Sequence, residues 1–589
     1  MRSFLKFFLA AFVALVIFSV VAFLLLMGAI GVASSPKKVV VPANSVLVLE
    51  TSQTYKEQHV SANPINNYIG RADGAAAGLY DAVRLIQHAA YDDNIKGIYI
   101  KVDGNGSGFA TNEELRNALA AFKKTDKFVY AYGEVMSQHA YYLASVADKI
   151  YLNPKGGLEF SGFAVQYMYL KGLLEKLEIE PQIFYDGKFK SATEPLRETQ
   201  MTEANRVQTT AFLSQLYGHY LQGVSEQRKV DTASLHRYAN DGLIQEPSDA
   251  LHYKLVDGLK YDDQVLDELR KKLNIDGKDD KVNFVSLNEY DKATDISTTG
   301  DNKIALIYAQ GDIVSGNTED DDKISSGAYI KMIRNAREDD DIKAIVFRVN
   351  SGGGSALASE VIWRELSLAK KVKPVVVSMG DYAASGGYYI SCMADSIFAQ
   401  PNTLTGSIGV FAVLPNLGGF FKNKLGVTFD GVKTAQYADL GTMSRPMNDA
   451  EKHLMQQGVD STYASFKSRV VAGRKLSGAV VDSIAQGRVW SGEDAKRIGL
   501  VDRIGGIQDA IACAARLSHA GTYQLEEYPD VKNQLGKILK LLGMNDDETS
   551  TRLLKKELGD HYEMYIRVKR LKEMSGQVEA RMPFDLLFQ

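Results

Sequence analysis

The stretch Ile342-Lys343-Ala344-Ile345-Val346-Phe347-Arg348-Val349-Asn350-Ser351-Gly352-Gly353-Gly354-Ser355 decides the fold. Ala344–Val349 is a β-branched and aromatic run without turn formers, which reads as a strand buried on both faces. The glycines break it, and about Ala356 to Lys371 follows as an amphipathic helix. Pro374–Met379 is the next strand, with another glycine turn and helix after it, and Ser396–Ala399 is a third strand. Strands alternating with helices predict an α/β fold with mainly parallel pairing.

The same pattern stands 247 positions earlier, where Ile95-Lys96-Gly97-Ile98-Tyr99-Ile100-Lys101-Val102-Asp103 matches Ile342–Asn350. Close to that offset, Lys127-Phe128-Val129 matches Lys373-Pro374-Val375, Tyr141-Tyr142-Leu143 matches Tyr388-Tyr389-Ile390, and Ala147–Ile150 matches Ala394–Ile397. Such a period is too long for a solenoid and predicts two fused copies of one domain. The expected organisation is a tail and apolar anchor over 1–44, a first repeat over 45–290 and a polar linker over 291–302. A second repeat follows over 303–525, then a C-terminal helical extension over 526–589, rich in Lys, Glu and Leu.

The chain has 589 residues, 24% charged and 45% hydrophobic, with a formal net charge of -4. That balance excludes disordered, collagen-like and polytopic membrane classes, and gives no basic excess for nucleic acid. Two cysteines, Cys392 and Cys513, cannot frame a disulfide scaffold or a Cys-rich zinc site. From Phe7 to Ala33 no residue is charged. A helix of that length exceeds the roughly 30 Å hydrocarbon core, so it reads as a membrane anchor. Its apolar core is longer than the ~7–15 residues of a cleavable signal peptide, although Gly31-Val32-Ala33 would suit cleavage. Arg2 and Lys6 precede it and Lys37 and Lys38 follow, a weak bias toward an inside N-terminus.

For chemistry, the nine histidines form no HExxH or i, i+4 pair, so neither metal nor cofactor is expected. Gly426–Thr434 lacks phosphate-loop spacing, and no GxSxG elbow occurs. Three glycine-flanked turns remain in the second copy: Asn350–Ser355, Ala383-Ala384-Ser385-Gly386-Gly387-Tyr388, and Leu404-Thr405-Gly406-Ser407-Ile408-Gly409-Val410. The first can present backbone N–H groups to an oxyanion, and the other two expose a serine. Each is also what an ordinary strand–helix turn looks like. A serine needs a base, and with no histidine in a suitable context the candidate is a lysine kept neutral by burial. Asp186-Gly187-Lys188-Phe189-Lys190-Ser191-Ala192 aligns with Asp430–Ala435 near offset 244, gaps included, which sets Lys190 opposite Thr434, while Ser407 falls opposite Phe160. Each copy has kept a different half of a possible dyad.

These residues resemble the long tandem form of the signal peptide peptidase A (protease IV) family of bacterial serine–lysine membrane proteases. The resemblance spans about residues 45–525 and the anchor. It rests on Leu404–Gly409, Tyr382–Tyr388, Gly487–Lys496 and Lys190-Ser191-Ala192-Thr193-Glu194-Pro195. It implies two Clp-protease/crotonase-like domains of ββα spiral units, with Ser407 as nucleophile and Lys190 as general base. Ser385 is the runner-up nucleophile and Lys188 the rival base. Gly353 or Gly354, with Ile408, would hold the oxyanion, and Thr434 or Ser191 would orient the lysine. Gly352 stands where the family usually has proline. The resemblance further implies apolar signal peptides as substrates, a homo-oligomer, by resemblance a tetramer, and a body on the extracytoplasmic (periplasmic) side of the bacterial inner membrane. A crotonase-like acyl-thioester enzyme and a non-catalytic membrane scaffold are the alternatives.

Overall fold

A computed structural model describes residues 39–58, 77–277, 281–318, 320, 322–530 and 577–582, with isolated positions between 7 and 21 and residue 559. Most of the expected anchor, Phe7–Ala33, therefore lies outside the described residues. Among the described residues no helix is long and apolar enough to cross a membrane.

The repeat is visible in the sheets. In the first copy six strands lie in the order Gly258–Leu259, Lys149–Leu158, Phe128–Met136, Ile95–Lys101, Ser45–Glu50, Asn283–Ser286, every neighbouring pair parallel. The second copy repeats the centre of that order with Val375–Ala384, Ile342–Ser351, Asn302–Gln310 and Tyr523–Tyr528. Ser396–Ala399 and Leu404–Gly406 both pair parallel to Val375–Ala384, and Val489–Ser491 closes the edge antiparallel. The central strands are buried on both faces, as parallel strands between helices must be. The long helices Glu203–Arg228 and Asp449–Arg474 correspond as well. Each is capped at its start, by Thr202 and Asn448, and each ends on a left-handed residue, Lys229 and Lys475.

A third, mixed sheet joins the copies. Its order is Lys323–Ser325, Asp312–Val314, Gly353–Ser355, Val578–Arg581, Val410–Asn416, Glu180–Asp186. Glu180–Asp186 comes from the first copy and pairs antiparallel along the whole of Val410–Asn416. Its Phe184 enters the core of the second copy, a burial worth roughly 1.5–3 kcal/mol. Most of the expected C-terminal helical extension lies outside the described residues, and two described pieces of it are strand. Glu526–Tyr528 ends a strand paired on Asn302–Gln310, and Val578–Arg581 fills the middle of the shared sheet. These strands pair with partners distant in sequence, which no local pattern announces.

A buried charge cluster also ties the copies together. Arg348, fully buried, donates to Glu57 at 2.7 Å and to Glu114 at 2.8 Å, both of the first copy, and to Ser378 Oγ at 2.7 Å. Asn350 Nδ2 donates to the same Glu57 at 2.8 Å.

Candidate active site

Glu180–Asp186 ends opposite Val410, three residues past Ser407, so the first copy is delivered to the second copy's glycine turns. The chain then turns back through Gly187. Lys190 N–H donates to Gly187 O at 3.0 Å, and Phe189 N–H donates to Gln486 O at 2.7 Å. Gly487 is left-handed, φ +74°, and a Cβ on it would lie 2.7 Å from the Lys190 backbone nitrogen. Only glycine lets the two segments meet so closely.

The result is a lysine side chain only 1% exposed. Its Nζ lies 2.9 Å from Ser385 Oγ, 3.1 Å from Ser407 Oγ and 3.2 Å from Ser407 O. Burial holds the Lys190 ammonium well below the ordinary lysine range, opposed only by the Glu579 carboxylate. Glu579 is itself buried and pushed up to about 7, chiefly by desolvation.

The two serines differ in setting. Ser385 ends the strand Val375–Ala384 and opens the helix Gly386–Ser391 at φ +55°, ψ -112°. A side chain held in that region costs about 1–3 kcal/mol, a strain typical of active sites. The same sharp strand-to-helix turn is what exposes a nucleophile on other α/β sheets. Ser407, at φ +48°, sits just past the short strand Leu404–Gly406 with its N–H donated to Arg488 O at 2.7 Å. Both its carbonyl and its hydroxyl are spent on Lys190.

Beside Ser385 lies the glycine turn. Gly353 has φ +103°, and a Cβ on it would meet Ala580 O at 2.0 Å and Gly386 N at 2.7 Å. Met582 N–H donates to Gly352 O at 2.6 Å. Bonded and non-bonded pairs alternate along an antiparallel ladder, so Gly354 opposite Ala580 is the next bonded pair. A carbonyl oxygen thus already rests on this turn, in hydrogen-bonded register with Gly354 and beside the Gly386 amide. That is the environment a tetrahedral oxyanion requires.

Of the residues singled out in the sequence, Lys190, Ser407, Ser385, Gly353 and Gly354 come together. Thr434 does not: it is exposed, on the irregular segment before Asp449–Arg474, because the alignment that placed it opposite Lys190 matches two loops that the fold separates. Ser191 is turned away to accept from Gln208 Nε2 at 2.9 Å, and Lys188 is exposed. Ile408 is buried in the second core, its carbonyl accepting from Gly487 N–H at 2.7 Å. Sequence reasoning missed Gly386, whose signal was its place directly after Ser385, and Glu579, which had none.

The sequence profile of Peptidase family S49 matches residues 121–276 and again 367–521, once in each copy. The chain is 39% identical over 470 residues to Protease 4 of Salmonella typhi, covering 78% of this chain and 75% of that one. It is 35% identical over 433 residues to the chloroplastic serine protease SPPA of Arabidopsis thaliana, covering 72% of this chain and 64% of that one. Among solved structures, a ClpP1 mutant from Listeria monocytogenes is matched over 35% of this chain and 94% of that one at 15% identity, with a TM-score of 0.24.

Proposed function

We propose that this chain, which belongs to peptidase family S49, is an endopeptidase in which Ser385 is the nucleophile, Lys190 the general base and Ser407 the group that orients the lysine. The observation that carries the reading is the buried Nζ with three oxygen partners within 3.2 Å. A neutral lysine amine has two N–H donors and one lone pair. Ser407 O can only accept, so it takes one N–H, and Ser407 Oγ takes the other. The lone pair then faces Ser385 Oγ, the nearest of the three. Ser385 rather than Ser407 adjoins the Gly353–Gly354 turn, and the amide of the following residue, Gly386, points to the same spot.

In this mechanism Lys190 removes the Ser385 proton as Oγ attacks a peptide carbonyl, and Gly354 and Gly386 N–H groups hold the developing oxyanion. Lys190 returns the proton to the leaving amine, and water hydrolyses the acyl-enzyme. Because base and nucleophile come from different copies, neither copy would act alone. Fluorophosphonate labelling with peptide mapping tests the assignment. Label is expected on Ser385 in the wild type and on no residue in Ser385→Ala, and label mapped to Ser407 would overturn it.

Membrane-retained signal peptides fit as substrates, since the strands Gly353–Ser355 and Val410–Asn416 beside the site can hold an extended apolar chain by main-chain pairing. Phe7–Ala33 supports a single-pass anchor on the bacterial inner membrane with the body outside the cytoplasm, and release of the full chain by alkaline extraction would refute that. A homo-oligomer, a tetramer by family resemblance, is to be read from the mass of the detergent-solubilised full chain.

A further inference from the structure

The first copy keeps a cavity where the second copy has its site. About 440 Å³ in volume, it is of the size that small-ligand pockets have. Gly106, Ser107 and Gln138 line it, the counterparts of Gly353, Gly354 and Ser385. The second copy contributes Asp381, Tyr382, Asn402 and Leu404 to its walls. We propose that this cavity is a non-catalytic peptide subsite, which holds uncharged or basic residues downstream of the bond cut at Ser385. This rests on Ser385 and Lys190 being the catalytic pair.

The glycine turn sets the direction. A chain seated antiparallel on Gly353–Ser355, as Glu579–Arg581 is, runs from Ser355 toward Gly352. The residue that follows there, Met582, packs on Leu216 and Leu404, and both of these also line the cavity. Tyr382 lies on the strand Val375–Ala384 that leads to Ser385. At about 3.3 Å per extended residue, the third to fifth residues after the cut reach the cavity. With Gln138 in the place of Ser385, the cavity can bind a chain but not cut it.

The walls define what it takes. Asn402 is 4% exposed, and its Nδ2 has no hydrogen-bond partner among the described residues. A buried amide donor needs an acceptor, and a passing peptide carbonyl supplies one. Phe109 and His139 pack with ring centroids 4.1 Å apart and offer an apolar face. Burial holds the His139 imidazole below the ordinary histidine range, so it adds no positive charge at neutral pH. No Lys or Arg lines the cavity among the described residues. Its two acids differ in setting. Asp381 is committed to the start of the first-copy helix Phe109–Lys123, accepting from Ala110 N–H at 2.9 Å and from Thr111 Oγ1 at 2.8 Å. Glu159 is exposed. A free terminal carboxylate is therefore repelled, and an internal stretch of neutral or basic chain is accepted.

Quenched peptides that share one apolar sequence up to the cut, and carry a single neutral residue or several after it, test this on the detergent-solubilised full chain. The longer peptide is expected to gain about tenfold in kcat/KM with the wild type, and Asn402→Leu to lower that gain about threefold. Aspartate as the fourth residue after the cut is expected to cancel most of the gain, and Glu159→Lys to restore it. In Ser385→Ala, a photoreactive benzoylphenylalanine at that position is expected to crosslink within 105–109 or 137–139, a readout that needs no active variant. Equal kcat/KM for short and long peptides, no penalty from aspartate, or crosslinks confined to residues outside those two stretches overturn the subsite and leave the protease reading standing. A wild type that cleaves neither peptide removes the protease reading and this proposal with it.

Discussion

Gln138 and Ser385 occupy the same place in the two copies, 247 residues apart at the start of corresponding helices, yet they do opposite things. Gln138 follows an ordinary cap: Ser137 accepts from Ala140 N–H, and its backbone is extended at φ -69°. The Gln138 amide then pins a loop, accepting from Ser161 and Gly162 N–H at 3.1 and 2.9 Å and donating to Gly162 O at 2.8 Å. Ser385 has no cap, sits at positive φ and touches a buried amine. The turns differ likewise. Gly353 and Gly354 are both at positive φ, whereas their counterparts Gly106 and Ser107 are not. At Ser407's counterpart stands Phe160, packed edge-on against Tyr141. One copy has relaxed into a scaffold that contributes the lysine, and the other retains the strain. Duplication permits this division because only one copy has to bear the cost of a strained site.

The largest effect should come from exchanging the roles at this pair. Ser385→Ala is expected to lower kcat by about 10⁴–10⁶, as removal of a nucleophile does, and Gln138→Ala to leave it within about twofold. Steady-state assays on both variants decide the matter. A large loss for Ser407→Ala with activity retained in Ser385→Ala would transfer the nucleophile's role to Ser407.

Arg348 and Lys101 form a second such pair, again 247 residues apart. Lys101 is exposed and reaches Glu50 at 3.4 Å, whereas Arg348 is the buried tie between copies. Arg348→Met leaves two buried carboxylates without their cation, an expected loss of about 3–5 kcal/mol. Lys101→Met should stay within about 0.5 kcal/mol. Urea unfolding of the two variants measures the difference, and equal midpoints would mean that the copies are held together by apolar burial alone.

Much of this contrast was legible in the sequence, and its limits have physical causes. The repeat, the parallel strands and the meeting of Lys190 with a second-copy serine are legible because Ile342–Ser355 and its counterpart carry strong local patterns. The choice between Ser385 and Ser407 is not, since each is a serine beside glycines at positive φ, and only the neighbouring Gly353–Gly354 turn and Gly386 amide separate them. Thr434 was placed by aligning loops, where offsets carry little structural meaning. Val578–Met582 was hidden because five alternating residues in a Lys/Glu-rich tail signal nothing until Gly353–Ser355 and Val410–Asn416 supply partners.

Ser407 sharpens the comparison through pH. With Lys190 as the proposed base, activity needs the neutral amine, so kcat/KM should rise with pH through the lowered Lys190 pKa and level off below the ordinary lysine value. The Ser407 hydroxyl, as acceptor, favours the charged form. Ser407→Ala should therefore move this acid limb to lower pH while reducing kcat about 10–100-fold. A limb that stays in place would mean that Ser407 does not hold the amine.

The smallest effect is on the quiet side of the comparison. Gln138→Ala removes one amide that satisfies three backbone groups at once. Ser161 is exposed and Gly162 half-buried, so water replaces much of what is lost. The expected cost is about 1 kcal/mol of stability, near the net worth of a single hydrogen bond, with KM and kcat unchanged. Should kcat instead fall tenfold, the loop at Ser161 would be acting on Lys190 through the long helix Glu203–Arg228. Gln208 of that helix donates to Phe189 O at 3.0 Å and accepts from Val489 N–H at 3.2 Å. The relaxed copy would then be a lever on the strained one rather than a frame around it.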